Sequence, residues 1–158
     1  WPGHIPAGTT CSELCTAMDM LPTLGNLAHA EMPEDRSIDG KDIQALIFGE
    51  EGASSPYEAF FYYGQNNLRA VRVGKWKLHL EDGMLVDLDA DIGETTDISR
   101  HHPDVVSELE AQVEQCRRDL GDAIQGVEGV GCRPAGWVED PKFLTPHKFN
   151  PYVEAAYD

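Results

Sequence analysis

The feature that most constrains this chain is an alternation near its middle. From Lys75 to Glu81, Trp76, Leu78 and Leu80 fall on one side, and Lys75, Lys77, His79 and Glu81 on the other. A period of two belongs to an extended strand whose faces meet different surroundings. One apolar and one polar face imply an antiparallel sheet with one side packed and one side wet. Asp82-Gly83 follows as a hairpin turn. Met84, Val86 and Leu88 then resume the apolar face in a further strand. Upstream, Phe60-Phe61-Tyr62-Tyr63 reads as a strand buried on both faces, and Leu68 to Val73 as a second strand ending at the turn-forming Gly74. The stretch from Phe60 to Ile98 is therefore predicted to be a four-stranded antiparallel meander closed by an acidic turn.

Such a sheet needs a cover, and the sequence supplies one. His102-Pro103 opens a helix, with proline where the first N–H has no partner anyway. Val105, Val106, Leu109, Val113, Cys116 and Leu120 make its apolar stripe, and Gly121 stops it. The N-terminal part is loop and short helix. Asp19 is placed as an N-cap, with Pro22 in the first turn and Met20, Leu21, Leu24, Leu27 and Ala28 at helical spacing. Asp42 caps a short helix carrying Ile43, Leu46 and Ile47 and stopped by Gly49. After Gly126 the chain turns to glycine and proline, which predicts an irregular tail. Its Trp137, Phe143, Phe149, Tyr152 and Tyr157 suggest that the tail packs onto something.

Charge narrows the function. Twelve Lys and Arg stand against 28 Asp and Glu, a formal net of -16. That excludes the basic footprint of a nucleic-acid binder and disfavours an anionic membrane surface. No apolar run is long enough to span a membrane. Cys11, Cys15, Cys116 and Cys132 show no Cys-x-x-Cys spacing, and the sequence assigns no pairing among them.

Local motifs offer little chemistry. Asp87-x-Asp89-x-Asp91 begins like a calcium loop, but an EF-hand needs glycine at its sixth position and glutamate at its twelfth. Those positions hold Ile92 and Ile98. His4, His29, His79, His101, His102 and His147 form no His-Glu-x-x-His motif, and His101-His102 reads as helix capping. There is no nucleophile elbow, P-loop or dinucleotide fingerprint.

Several stretches, in order, resemble the sulfatase family, specifically the C-terminal part of arylsulfatase-type enzymes. They are Trp1-Pro2-Gly3-His4-Ile5-Pro6-Ala7-Gly8, Met18-Asp19-Met20-Leu21-Pro22-Thr23-Leu24 and Asp39-Gly40-Lys41-Asp42-Ile43. Ala70-Val71-Arg72-Val73-Gly74-Lys75-Trp76-Lys77-Leu78 follows, then Leu85-Val86-Asp87-Leu88 with Asp91-Ile92-Gly93-Glu94-Thr95. Val86 and Ile92 stand where the family usually has tyrosine and proline. The resemblance implies an α+β chain: a small four-stranded antiparallel sheet with a long helix packed on it, preceded by helix and loop segments of an alkaline-phosphatase-like α/β domain. It places 1–56 in that α/β domain, 57–125 in the sheet-plus-helix subdomain and 126–158 in the tail.

Its functional implication is a C-terminal fragment of a sulfuric ester hydrolase. The family's formylglycine nucleophile, made within Cys/Ser-x-Pro-x-Arg, and its calcium ligands would lie in the missing N-terminal catalytic domain. Cys132-Arg133-Pro134-Ala135-Gly136 lacks the required arginine, so no residue here is assigned as catalytic or as a metal ligand, and the fragment alone is expected to be inactive. Tyr63, Asn66, Asn67 and Arg69 are the candidates for a substrate-cleft rim facing a sulfate-ester substrate. Against that stands an ordinary hairpin loop. The resemblance also implies an extracytoplasmic location. The alternatives are a non-catalytic binding or structural module, or part of a phosphonate or phosphate ester hydrolase.

Overall fold

The computed structural model describes residues 1–133 and 136–140, and the backbone alone of 146–147 and 150–154. Four strands form the expected meander: β1 (Phe60–Gly64), β2 (Asn67–Val73), β3 (Trp76–His79) and β4 (Leu85–Asp87). They are hydrogen-bonded in sequence order, each antiparallel to the next. A β-bulge at Tyr62/Tyr63 shifts the register of the first pair.

Directly paired residues share a face of an antiparallel sheet, so the register sorts the side chains. Phe61, Val71, Leu78 and Leu85 stand in one row. They pack with Leu68 against Leu109, Val113 and Cys116 of the long helix. The apolar stripe of that helix thus meets the apolar rows of the strands, as the two periodicities require. Phe60, Arg72, Lys77 and Val86 make a row on the opposite face.

Two readings are corrected by this register. In β4 it is Leu85 that faces the helix, and Val86 is fully buried on the other side. Alternation over three residues is too short to set parity when both neighbours are apolar. The first strand is half-buried throughout and not enclosed on both faces.

The long helix spans Pro103–Leu120. His102 precedes it without a side-chain cap. Its ring packs on Trp76 at 4.9 Å instead, which corrects the capping role. Upstream, α1 (Met20–Leu27) and α2 (Gln44–Phe48) are short, so the long helix is α3. Asp42 Oδ1 accepts the Gln44 N–H at the start of α2, as its position suggests.

Asp19 occupies the N-cap position of α1 but does not cap it. Its carboxylate accepts the N–H of Thr16 at 2.6 Å, the N–H of Lys41 at 2.8 Å and the Tyr57 hydroxyl. Thr16 returns the favour by accepting from Met18 N–H, which completes a capping box for the preceding 3-10 turn at Ala17–Asp19. Thr23, also buried, accepts the Ile43 N–H at 3.0 Å. Gly40 must be glycine: a Cβ there would lie 2.0 Å from the Met18 carbonyl oxygen. The two motifs around Asp19 and Gly40 are thus one buried clasp joining distant loops.

Beyond Gly126 the region read as irregular contains a short antiparallel ladder, β5 (Pro146–His147) with β6 (Asn150–Glu154). Trp137 is 81% exposed. Phe143, Phe149, Tyr157 and the side chain of Tyr152 lie outside the described residues.

Candidate functional site

The rim candidates sit on the β1–β2 hairpin. Gly64 pairs with Asn67, so Gln65 and Asn66 form a two-residue turn. Gln65 takes φ 59, the left-handed start that such a turn needs. The four candidates do not converge. Tyr63 points inward: its hydroxyl donates to the Gly121 carbonyl at 2.7 Å and touches the Cys116 thiol at 3.4 Å. Burial, with Cys116 beside it, pushes the Tyr63 phenol above its ordinary range. Asn66 is exposed, and its carbonyl accepts the Ala123 N–H at 2.9 Å. Asn67 is half-buried in the strand, and Arg69 is exposed on its surface.

Arg69 opens onto a groove of about 380 Å³ that also involves Glu81, Arg117, Asp122, Ile124 and Gln125. Arg69 lies 3.8 Å from Glu81, a loose exposed pair worth little in water. On the far side the buried Asp122 accepts from Leu68 N–H, Ile124 N–H and Arg117 Nε. Arg117 also binds Glu114 at 2.6 Å. Burial lowers its pKa, but the two carboxylates more than offset that and hold the guanidinium above its ordinary value. Arg117 and Asp122 therefore build the groove wall, leaving Arg69 as its exposed cation. Sequence reasoning missed Asp122. Its only trace was an acidic residue immediately after the helix-stopping Gly121.

The opposite sheet face carries a second polar cluster. Lys77 Nζ contacts both carboxylate oxygens of Glu94 at 2.7 Å, and His79 Nε2 approaches Glu94 at 2.6 Å. Lys77 also lies 4.6 Å from the Tyr62 ring centroid. The acidic turn folds back over this face, so the face expected to be wet is partly covered. Lys77 holds the Glu94 carboxyl below its ordinary range against the opposing effect of burial, with His79 adding to the shift.

The residues present do not fit calcium or formylglycine. Asp87 is engaged by Lys75 and the Asp89 N–H. Asp91 accepts the N–H groups of Thr95 and Thr96. These carboxylates close a turn and do not converge on a common point. Among the described residues no group of three His, Cys, Asp or Glu is arranged to hold a metal ion. The Cys132 thiol donates to the Leu120 carbonyl, and Gly136 stands where the formylglycine motif needs arginine.

Among curated proteins the chain is similar in sequence to arylsulfatases and other sulfatases. No family model matches the chain. It is 46% identical over 79 residues to an arylsulfatase of Hemicentrotus pulcherrimus, covering 50% of this chain and 14% of that protein. It is 31% identical over 141 residues to arylsulfatase G of Canis lupus familiaris, covering 80% and 24%. Among solved structures, that of Ps i-CgsB superposes with a TM-score of 0.62 at 23% identity, over 80% of this chain and 30% of that one. The structure of BT4656 in complex with D-glucosamine-2-N,6-O-disulfate gives 0.55 at 22%, over 75% and 27%. At that identity the structural matches speak for the fold alone. The chain belongs to the sulfatase family and corresponds to the C-terminal portion of its arylsulfatase-type members. It spans 14% and 24% of the length of these two curated relatives.

Proposed function

We propose that these residues serve as the C-terminal portion of a sulfuric ester hydrolase, completing its fold and lending one edge to its substrate cleft. The observation that carries this reading is the sequence relationship to arylsulfatases, over 79 residues in one and 141 in another. In this reading the formylglycine nucleophile and calcium belong to an N-terminal catalytic domain outside residues 1–158. The contribution of this portion is rigidity. The Asp19 clasp fixes the loops that adjoin the α/β domain, and α3 backs the small sheet. Asn66, Asn67 and Arg69, with Tyr63 anchoring their hairpin from beneath, form the rim. Arg69 is the residue suited to an anionic or polar group, since its guanidinium is exposed. An extracytoplasmic location belongs to the same reading.

The test compares the complete protein with residues 1–158 alone, using a chromogenic aryl sulfate. Turnover by the complete protein and none by the shorter chain is the expected result. Turnover by residues 1–158 alone would overturn the assignment of the chemistry to the rest of the chain. Cleavage of phosphate or phosphonate esters in preference to sulfate esters would favour the other hydrolase reading.

A further inference from the structure

After α3 the chain turns sharply and meets the rim hairpin. Gly121 makes the turn at φ 79, and a Cβ there would lie 2.7 Å from the Gly129 nitrogen. Asp122 follows as the N-cap of a 3-10 turn at Ala123–Gln125. Three consecutive residues of this strap hold the hairpin. The Gly121 carbonyl accepts from the Tyr63 hydroxyl at 2.7 Å, Asp122 Oδ1 accepts from the Leu68 N–H at 3.3 Å, and the Ala123 N–H donates to the Asn66 carbonyl at 2.9 Å. The chain beyond the strap is tied to the helix end: Val130 N–H donates to the Arg118 carbonyl at 3.1 Å and Gly131 N–H to that of Asp119 at 2.8 Å. Asp122 joins three elements through one buried carboxylate. They are β2 at Leu68, the 3-10 turn at the Ile124 N–H, 3.2 Å away, and α3 at Arg117 Nε, 3.0 Å away.

We infer that Asp122 is a positioning residue of the substrate cleft, fixing the spacing between Arg69 on one wall of the groove and Ile124 on the other. This rests on the hydrolase reading above. Asp122 is buried and acts through its neighbours. It holds the N–H of Leu68, the residue before Arg69, and the N–H of Ile124 itself. The Ile124 side chain is 58% exposed, and both it and Arg69 line the groove. A ring entering there meets an apolar side chain and a guanidinium together. The leaving group this spacing selects is a ring that carries a hydrogen-bond acceptor for Arg69. Replacing Asp122 by asparagine leaves one oxygen for the two N–H groups but turns an amide donor toward Arg117, itself a donor. The tie to α3 is then lost and the two walls shift relative to each other, a displacement that costs binding and not only stability.

The test measures KM and kcat of the complete protein for two aryl sulfates. 4-Methylumbelliferyl sulfate offers Arg69 a lactone carbonyl, and phenyl sulfate has no acceptor on its ring. Asp122→Asn should raise KM for the first by about tenfold, the size of one lost contact to the leaving group, with a smaller rise for the second and little change in kcat for either. Tyr63→Phe keeps the ring in place and removes only the bond to Gly121, so it should move the same KM in the same direction by a smaller factor. It carries the test if Asp122→Asn does not fold. A lower melting temperature with both KM values unchanged, or an equal rise for the two substrates in both variants, would make the strap purely structural and overturn the inference while leaving the hydrolase reading intact. Turnover of neither ester by the unmodified complete protein would overturn both.

Discussion

Asp19 is enclosed completely, yet it keeps its charge. Burial alone would raise its carboxyl, but the Lys41 N–H, the Tyr57 hydroxyl and the Thr16 N–H together hold it below the ordinary carboxylate range. Three donors lose their acceptor if it is removed. Asp19→Ala should therefore cost about 3 kcal/mol, since charged hydrogen bonds are involved and buried donors are left behind. Gly40→Ala attacks the same clasp sterically and should cost about 2 kcal/mol, because the Met18 backbone has no flexible end that can yield. Urea midpoints of the two variants check this, and an unchanged midpoint for either would refute the clasp. In the sequence, Asp19 looked like a helix cap, because a local rule places acidic residues there. Its true partners lie 22 and 38 residues away in sequence, and no local pattern encodes them.

The acidic turn after β4 shows how an element's chemistry depends on what it folds against. The Asp-x-Asp-x-Asp spacing suggested metal only superficially, and the residue that matters is Glu94, held at φ 54 between Lys77 and His79. Its folded pKa lies below its unfolded value. Its contribution is therefore full above the unfolded pKa and is lost as pH falls through the lower folded one. Glu94→Gln should destabilise the protein at neutral pH and flatten the acid limb of its stability curve below about pH 4.5. A wild-type acid limb in the variant would show that the turn is held by something else. The strand beside it offers a second check. The alternation along Lys75–Glu81 was legible because seven residues repeat it. In β4 only three residues carry the signal, and the apolar run Met84-Leu85-Val86 allows either parity. Val86→Ala should cost about 2 kcal/mol, and Met84→Ala less than half of that, as measured by thermal unfolding. The reverse order would restore the reading in which Met84 faces the core.

At the scale of the whole molecule, the sheet and α3 close on each other, but α1 does not. Met20, Leu21 and Leu24 are 46%, 59% and 55% exposed on a helix of eight residues. An apolar helical face of this kind needs a partner. The sequence showed the helical spacing of these residues but not their exposure, because periodicity reports a face and not what covers it. In the proposed reading the occupant is the remainder of a sulfatase chain. The hairpin candidates illustrate the same limit, as their loop was legible while the inward turn of Tyr63 depended on the distant Gly121. Changing Leu21 and Leu24 together to glutamate should leave residues 1–158 folded with an unchanged melting temperature, because both side chains are already in water there. In the complete protein the same pair would bury two charges against an apolar surface. It should lower the melting temperature of the complete protein and accelerate amide exchange across Met20–Leu27, whereas the unmodified helix should exchange more slowly in the complete protein than in residues 1–158. Equal exchange of the unmodified helix in both chains would mean that α1 has no cover in the enzyme, and the proposed role of this portion in completing the fold would then rest on the clasp and the sheet alone.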